Sequence, residues 1–163
     1  MLNYYDPYYS DYDAVFGGFM VVFFLIFFVF LIIGYIVNAL IYFMASKTNG
    51  FSDIAYIAWI PIINIYSLFL LTANGDDDAT IRAAAKKTTL IYAGLFIVSF
   101  VPVVGIIASL AMFCYWIYYT YRLLYRWTGE TGKAVLYMIL SLITCGLFFA
   151  IYGLMRMKRP FIV

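Results

Sequence analysis

Trp59-Ile-Pro-Ile-Ile-Asn64 and Phe100-Val-Pro-Val-Val-Gly105 stand 41 positions apart and match as aromatic, β-branched, proline, β-branched, β-branched, then a turn-tolerant residue. Each lies inside a long apolar stretch. Proline lacks a backbone donor, and its ring collides with the carbonyl four residues back, which is that of Ile57 in the first copy, so a helix kinks or ends at either site. Residues 54 to 73 are otherwise long enough to cross a bilayer once. Residues 88 to 121 run for 34 positions, about 51 Å as one helix, a poor fit to a single crossing of a roughly 30 Å hydrocarbon core. Two limbs meeting at Val101-Pro-Val-Val-Gly105 fit that stretch better. Matched proline-broken segments are also a sequence pointer to half-helix pairs or a midplane site.

The solvent around these breaks follows from composition. Of 163 residues, 67% are hydrophobic, 22% aromatic and 11% charged, against roughly 45 to 50% apolar and about 25% charged in soluble domains. The chain reads as an all-α integral membrane protein. Lys and Arg total 10 and Asp and Glu total 8, so no general basic surface is offered to nucleic acid. Histidine is absent, which removes imidazole-based hydrolases and His-ligated zinc, iron and haem; no cofactor or metal is expected. The apolar stretches 14 to 45, 54 to 73, 88 to 121 and 134 to 155 carry no Asp, Glu, Lys or Arg. The marker of proton relays, coupled transport and aspartyl proteolysis is therefore missing. Cys114 and Cys145 lie in apolar runs and are expected as small buried hydrophobes.

Residues 1 to 14 form an acidic, Tyr-rich head, and no base precedes Lys47. The following run is too long for a secretory signal and predicts a retained transmembrane helix with the head outside. Residues 15 to 163 read as one membrane-embedded domain. Within the helix, Gly34 and Asn38 stand one turn apart and form a candidate helix contact. Asn64 has the donors and acceptors to replace bonds lost at Pro61. Ala73 to Lys87 reads as a turn and a short helix capped by its aspartates, with Asp78 and Arg82 as an i,i+4 pair. The three consecutive carboxylates lack the alternating spacing of a calcium loop. Tyr115 to Trp127 around Arg122 and Arg126 form an interfacial aromatic belt. The last run has a weak point at Thr144-Cys-Gly146 and ends in Arg156, Lys158 and Arg159, a cluster suited to anionic headgroups. Arg122, Arg126, Arg156, Lys158 and Arg159 are the candidate anionic-lipid contacts.

The bases choose between topologies. A conventional four-span bundle with the head outside places four bases inside and six outside, against the positive-inside tendency, and a fifth crossing does not change that count. If the proline-broken stretches dip in and return, Lys47, Arg82, Lys86, Lys87, Arg122, Arg126 and Lys133 share the cytoplasmic side. The final three join them if the last run also returns at Gly146. One N-terminal span followed by hairpin or re-entrant helices is the expected architecture, with the four- or five-span bundle as the alternative.

At Gly50-Phe-Ser-Asp-Ile-Ala-Tyr-Ile-Ala-Trp59-Ile-Pro61-Ile-Ile-Asn64-Ile-Tyr66 the chain resembles a domain-of-unknown-function family of small bacterial polytopic membrane proteins. That family carries Ile-Pro-x-x-Asn-x-Tyr after a first helix and commonly a second proline-broken copy, like Val101-Pro102. Phe51 stands where it usually has Trp, and Gly105 replaces the second Asn. Ile139 to Gly146 is similar to an Ile-Thr-x-Gly turn of another uncharacterised membrane family. The resemblances imply a multi-pass protein of a bacterial cytoplasmic membrane and no reaction.

A non-enzymatic accessory, scaffold or immunity-type subunit is therefore expected, one that packs and oligomerises in the bilayer. The alternative is a small channel or solute-transport subunit whose polar path uses Asn64, Ser67, Ser99 and the half-helix ends at Pro61, Pro102 and Gly105. An enzyme would have to draw its acid and base from Asp76 to Asp78 or Glu130.

Overall fold

The computed structural model describes residues 7–163. Among the described residues the chain is all-α, with six α-helices, one short 3-10 helix and no strand. The helices are α1 (Pro7–Thr48), α2 (Ile65–Thr72), α3 (Asp78–Val98), α4 (Val104–Thr128), α5 (Thr131–Ile143) and α6 (Leu147–Arg156), with the 3-10 helix Ala55–Trp59 before α2. Two segments are long and apolar enough to cross a membrane: Ala14–Thr48, of 35 residues, and Val104–Thr128, of 25. Of the acidic head, residues 1–6 lie outside the described residues, and Pro7 already belongs to α1.

Two compact units divide inside α1, at Ile36 and Val37. In the first unit the apolar side chains from Val15 to Ile36 are exposed apart from half-buried Met20 and Tyr35, and a Cβ added at Gly17, Gly18 or Gly34 would meet nothing. Phe23 and Phe27 stack one turn apart, with ring centroids 6.4 Å apart.

The second unit is built around α2. This helix is apolar almost throughout, and Ser67 to Thr72 are all buried, as expected of a helix enclosed on every side. It touches α3, α4 and the 3-10 helix. Ile41 of α1, Leu123, Leu124 and Trp127 of α4, and Ala134 of α5 complete a core of fully buried side chains. Gly153 of α6 admits Ile41: a Cβ there would lie 2.7 Å from Ile41 Cδ1.

Both prolines end a helix, and they do so identically. After Pro61, Ile62 takes a φ of 70°, and the Ile63 N–H donates to the Pro61 carbonyl at 2.8 Å. After Pro102, Val103 takes a φ of 67°, and the Val104 N–H donates to the Pro102 carbonyl at 2.8 Å. These are γ-turns of the positive-φ kind, which β-branched residues rarely enter. The next residue closes a wider ring in both, Asn64 N–H to Ile60 carbonyl at 2.9 Å and Gly105 N–H to Val101 carbonyl at 2.7 Å. The repeat read from the sequence is thus a repeat of backbone hydrogen bonds, because proline removes the same donor and β-branched neighbours flank it on both occasions.

Each broken stretch returns toward its start. The Asp53 carboxylate, just before the 3-10 helix, pairs with Arg82 of α3, which follows α2. Arg122, late in α4, donates to the Asn74 side chain, just before α3. Arg156, at the end of α6, donates to the Trp127 carbonyl, just before α5. Three hairpins therefore have their bases joined. The turn between α5 and α6 is made by a Schellman-type bond from the Gly146 N–H to the Ser141 carbonyl at 2.7 Å, with Gly146 left-handed at a φ of 87°.

Two sequence expectations change. Lys86 and Lys87 do not end a short helix, since no proline follows them before Pro102 and the one glycine, Gly94, is accommodated, and α3 runs through them for 21 residues. Cys114 and Cys145 are exposed free thiols, one on the outer face of α4 and one in the α5–α6 turn.

Candidate functional site

The chemistry-bearing residues of the second unit gather where the hairpin bases meet. α2 ends in the extended residue Ala73, which leaves its last carbonyls without helical partners. Arg126 of α4 supplies them, donating to the Leu71 carbonyl at 3.0 Å and the Ala73 carbonyl at 2.7 Å. Arg156 does the same for the end of α4 at Trp127. A planar guanidinium with several donors suits this task better than an ammonium would.

Asp77 caps α3 with a reciprocal box: the Thr80 N–H donates to its carboxylate at 2.9 Å, and the Thr80 hydroxyl accepts from the Asp77 N–H at 3.3 Å. The Thr80 bonds hold the Asp77 carboxyl below the usual carboxylate range. Arg82 grips Asp53 with both terminal nitrogens, at 2.8 and 3.0 Å, and Asp78 with its Nε at 2.9 Å. That bond pulls the Asp53 carboxyl down, and the same pair pushes the Arg82 guanidinium up. Glu130 pairs with Lys133 at 2.8 Å.

The C-terminal segment crosses this end. The Thr48 hydroxyl donates to the Met157 carbonyl at 3.2 Å, the Phe161 N–H donates to the Asn49 side-chain oxygen at 2.9 Å, and the Ile162 N–H donates to the Arg126 carbonyl at 2.9 Å. Phe161 also lies under the Arg126 guanidinium, 5.4 Å from ring centroid to carbon, and beside the buried Trp127.

The sequence-predicted residues are distributed unevenly over this frame. Gly34 is exposed in the first unit; Asn38 is half-buried in the second. Pro61 and Pro102 are exposed at their turns. Asn64 makes no capping bond and lines a half-open groove of about 390 Å³ with Ile62, Ile65, Thr89, Tyr92 and Met112. Ser99 donates to the Phe96 carbonyl at 2.6 Å and lies with Gly105 in a separate shallow depression at the second turn. Ser67 is buried and lines neither. Of the proposed polar-path residues, Ser99, Pro102 and Gly105 share one depression, Asn64 lines a different groove and Ser67 lines neither. Of the candidate lipid contacts, Arg122, Arg126 and Arg156 hold protein oxygens, while Lys158 and Arg159 are exposed. Sequence reasoning missed Asp53, Thr48 and Asn49, whose partners lie 29, 109 and 112 positions away.

No family model, curated protein or solved structure matches the chain.

Proposed function

We propose that the chain is a non-enzymatic membrane protein, an accessory, scaffold or immunity-type subunit, that acts through helix packing and oligomerisation. One spanning helix within α1 holds it, and three hairpins enter the bilayer and return to the side they left. One observation supports this reading above the others. The polar connectors of the second unit are bonded together, while the turns carry exposed apolar side chains, including Ile62 and Val103, each at 78% exposure, and Phe100 at 74%. In water each such side chain forgoes about 1.5–3 kcal/mol of burial, whereas in hydrocarbon it forgoes nothing. For the last hairpin length agrees: α5 and α6, of 13 and 10 residues, reach only about 20 and 15 Å, too short to cross a roughly 30 Å core. All 10 bases follow residue 37, and the first unit carries acids alone, which favours the head outside and the hairpin bases on the cytoplasmic side of a cell membrane.

The test uses single cysteines at Asp76→Cys and Glu130→Cys in a chain carrying Cys114→Ser and Cys145→Ser. A membrane-impermeant thiol reagent should label both from the same side of sealed vesicles. Labelling from opposite sides overturns the hairpin scheme. Crosslinking in native membranes should recover an oligomer or a partner; a lone monomer removes the packing role.

A small-solute path is the second reading, kept by the groove at Asn64. Flux in proteoliposomes that is lost on Asn64→Leu would establish it in place of the scaffold.

A further inference from the structure

We infer that the junction between the end of α1 and the segment after α6 binds the phosphodiester headgroup of an anionic lipid, with Lys47, Lys158 and Arg159 as its cations. The inference rests on the membrane reading above and names a partner for one place on it.

Two bonds build the junction. The Thr48 hydroxyl shares its one hydrogen between the Met44 carbonyl of its own helix, 2.9 Å away, and the Met157 carbonyl at 3.2 Å. One residue further on, Asn49 donates to the Ala45 carbonyl at 2.8 Å and accepts from the Phe161 N–H at 2.9 Å. Lys47 precedes the first of these bonds on one chain segment, and Lys158 and Arg159 lie between the two on the other. All three are exposed. The two segments that carry them are joined across 109 and 112 positions of sequence by these bonds.

Among the described residues nothing neutralises their charge. Among the described residues the ion pairs are Arg82 with Asp53 and Asp78, and Lys133 with Glu130, and Asp77 is bound into its cap. None of these described pairs involves Lys47, Lys158 or Arg159. Uncompensated like charges on adjoining segments repel, and a bound anion relieves that repulsion. Arg122, Arg126 and Arg156 are held by protein oxygens, and of the exposed bases outside the ion pairs, Lys86 and Lys87 lie within α3, whereas Lys47, Lys158 and Arg159 lie on the segments joined at this junction. An arginine fork with two point-charge ammoniums matches the donors that a phosphate takes.

Free inorganic phosphate shares that chemistry, but the surroundings favour a lipid. The Lys47 ammonium sits 4.6 Å from the Phe43 ring centroid, and Trp59 meets Phe43 edge-on at 6.2 Å, with Trp59 41% exposed. An exposed tryptophan beside a snorkelling lysine is the arrangement of a headgroup layer.

The experiment uses the full chain in mixed micelles of phosphatidylglycerol and phosphatidylcholine, with retained lipid read by native mass spectrometry. The triple variant Lys47→Gln/Lys158→Gln/Arg159→Gln is compared with Lys86→Gln/Lys87→Gln/Lys133→Gln, which removes the same charge elsewhere. The wild-type chain should retain phosphatidylglycerol preferentially. The junction variant should lose that preference by at least about fivefold, the scale of one base at an anionic surface, and the control should keep it. Arg159→Gln alone should give a smaller loss in the same direction, which covers a triple variant that does not fold. No preference in the wild type, or equal loss in both triples, overturns the site. Heat stabilisation by inorganic phosphate equal to that by short-chain phosphatidylglycerol overturns the lipid assignment. Wild-type protein that is extracted from vesicles by alkali sinks the membrane reading itself; retention without lipid preference sinks only this inference.

Discussion

At Pro61 and Pro102 the chain makes the same γ-turn with the same flanking hydrogen bonds, but half-buried Asn64 follows one turn and buried Gly105 follows the other. The turns are equal as local chemistry and unequal as packing. At the second, the ends of α3 and α4 close so tightly that a Cβ on Gly105 would overlap the Ser99 carbonyl. At the first, the preceding element is a five-residue 3-10 helix, and the space beside Asn64 stays open as a groove. A motif thus dictates where the backbone breaks, while the elements on either side decide how closely they approach.

The largest expected effect breaks the equivalence of the two positions. Gly105→Ala forces a methyl into backbone that cannot yield and should cost about 3 kcal/mol or more, at the upper end of overpacking. Asn64→Ala, at the matching position of the other copy, should change stability by less than about 1 kcal/mol, since the side chain makes no capping bond. Denaturant unfolding in detergent, followed by helical circular dichroism, compares them. Equal losses would mean that Asn64 is packed as tightly as Gly105.

A smaller effect tests how the copies are joined. Arg126, from the helix that follows the second turn, donates to two carbonyls at the end of the helix that follows the first. Arg126→Ala should cost about 2 kcal/mol, as for a charged donor removed from part-buried acceptors. Arg126→Lys should recover part of this, since one ammonium reaches fewer oxygens. The same unfolding measurement reads both.

The turns should become equal again when strain is relieved. Ile62 and Val103 hold positive φ angles of 70° and 67°, at a cost of order 1–3 kcal/mol each. Ile62→Gly and Val103→Gly remove that cost but add chain entropy to the unfolded state. The net gain expected is about 0.5–1 kcal/mol at each, and similar at both. A loss at either would mean that its side chain packs against something its exposure does not reveal.

How much of this was legible in the sequence follows the range of each interaction. The breaks at Pro61, Pro102 and Gly146, the Asp77 cap and the Asp78–Arg82 pair are decided within four or five residues, and the sequence displays them. The Arg126 bonds to α2 span 53 and 55 positions, and the docking of Met157 on Thr48 spans 109. Nothing local announces these. In a chain with apolar residues on nearly every helix face, hydrophobic periodicity does not choose a partner helix either. The exposed cysteines illustrate this, since an apolar neighbourhood in sequence says nothing about which face a side chain occupies.

The smallest effect concerns the clasp that ties the base of the first hairpin to α3. Arg82 bonds Asp53 and holds its carboxyl below the ordinary range. Because this pKa is depressed on folding, the pair's contribution is present above the unfolded carboxylate value of about 4 and is lost as pH falls through the lower folded value. The pair is solvent-exposed, with side-chain exposures of 30% and 57%, so its share is modest and screened by salt. An unfolding series through the acid range should show a small stability loss that Arg82→Gln reduces. The Asp77 carboxyl, depressed by Thr80, retains its own acid response in that variant, so some dependence should persist. If Arg82→Gln leaves the acid profile unchanged, the clasp does not hold the first hairpin to the second, and the carbonyl bonds of Arg126 and the packing of α2 on α3 and α4 carry that connection.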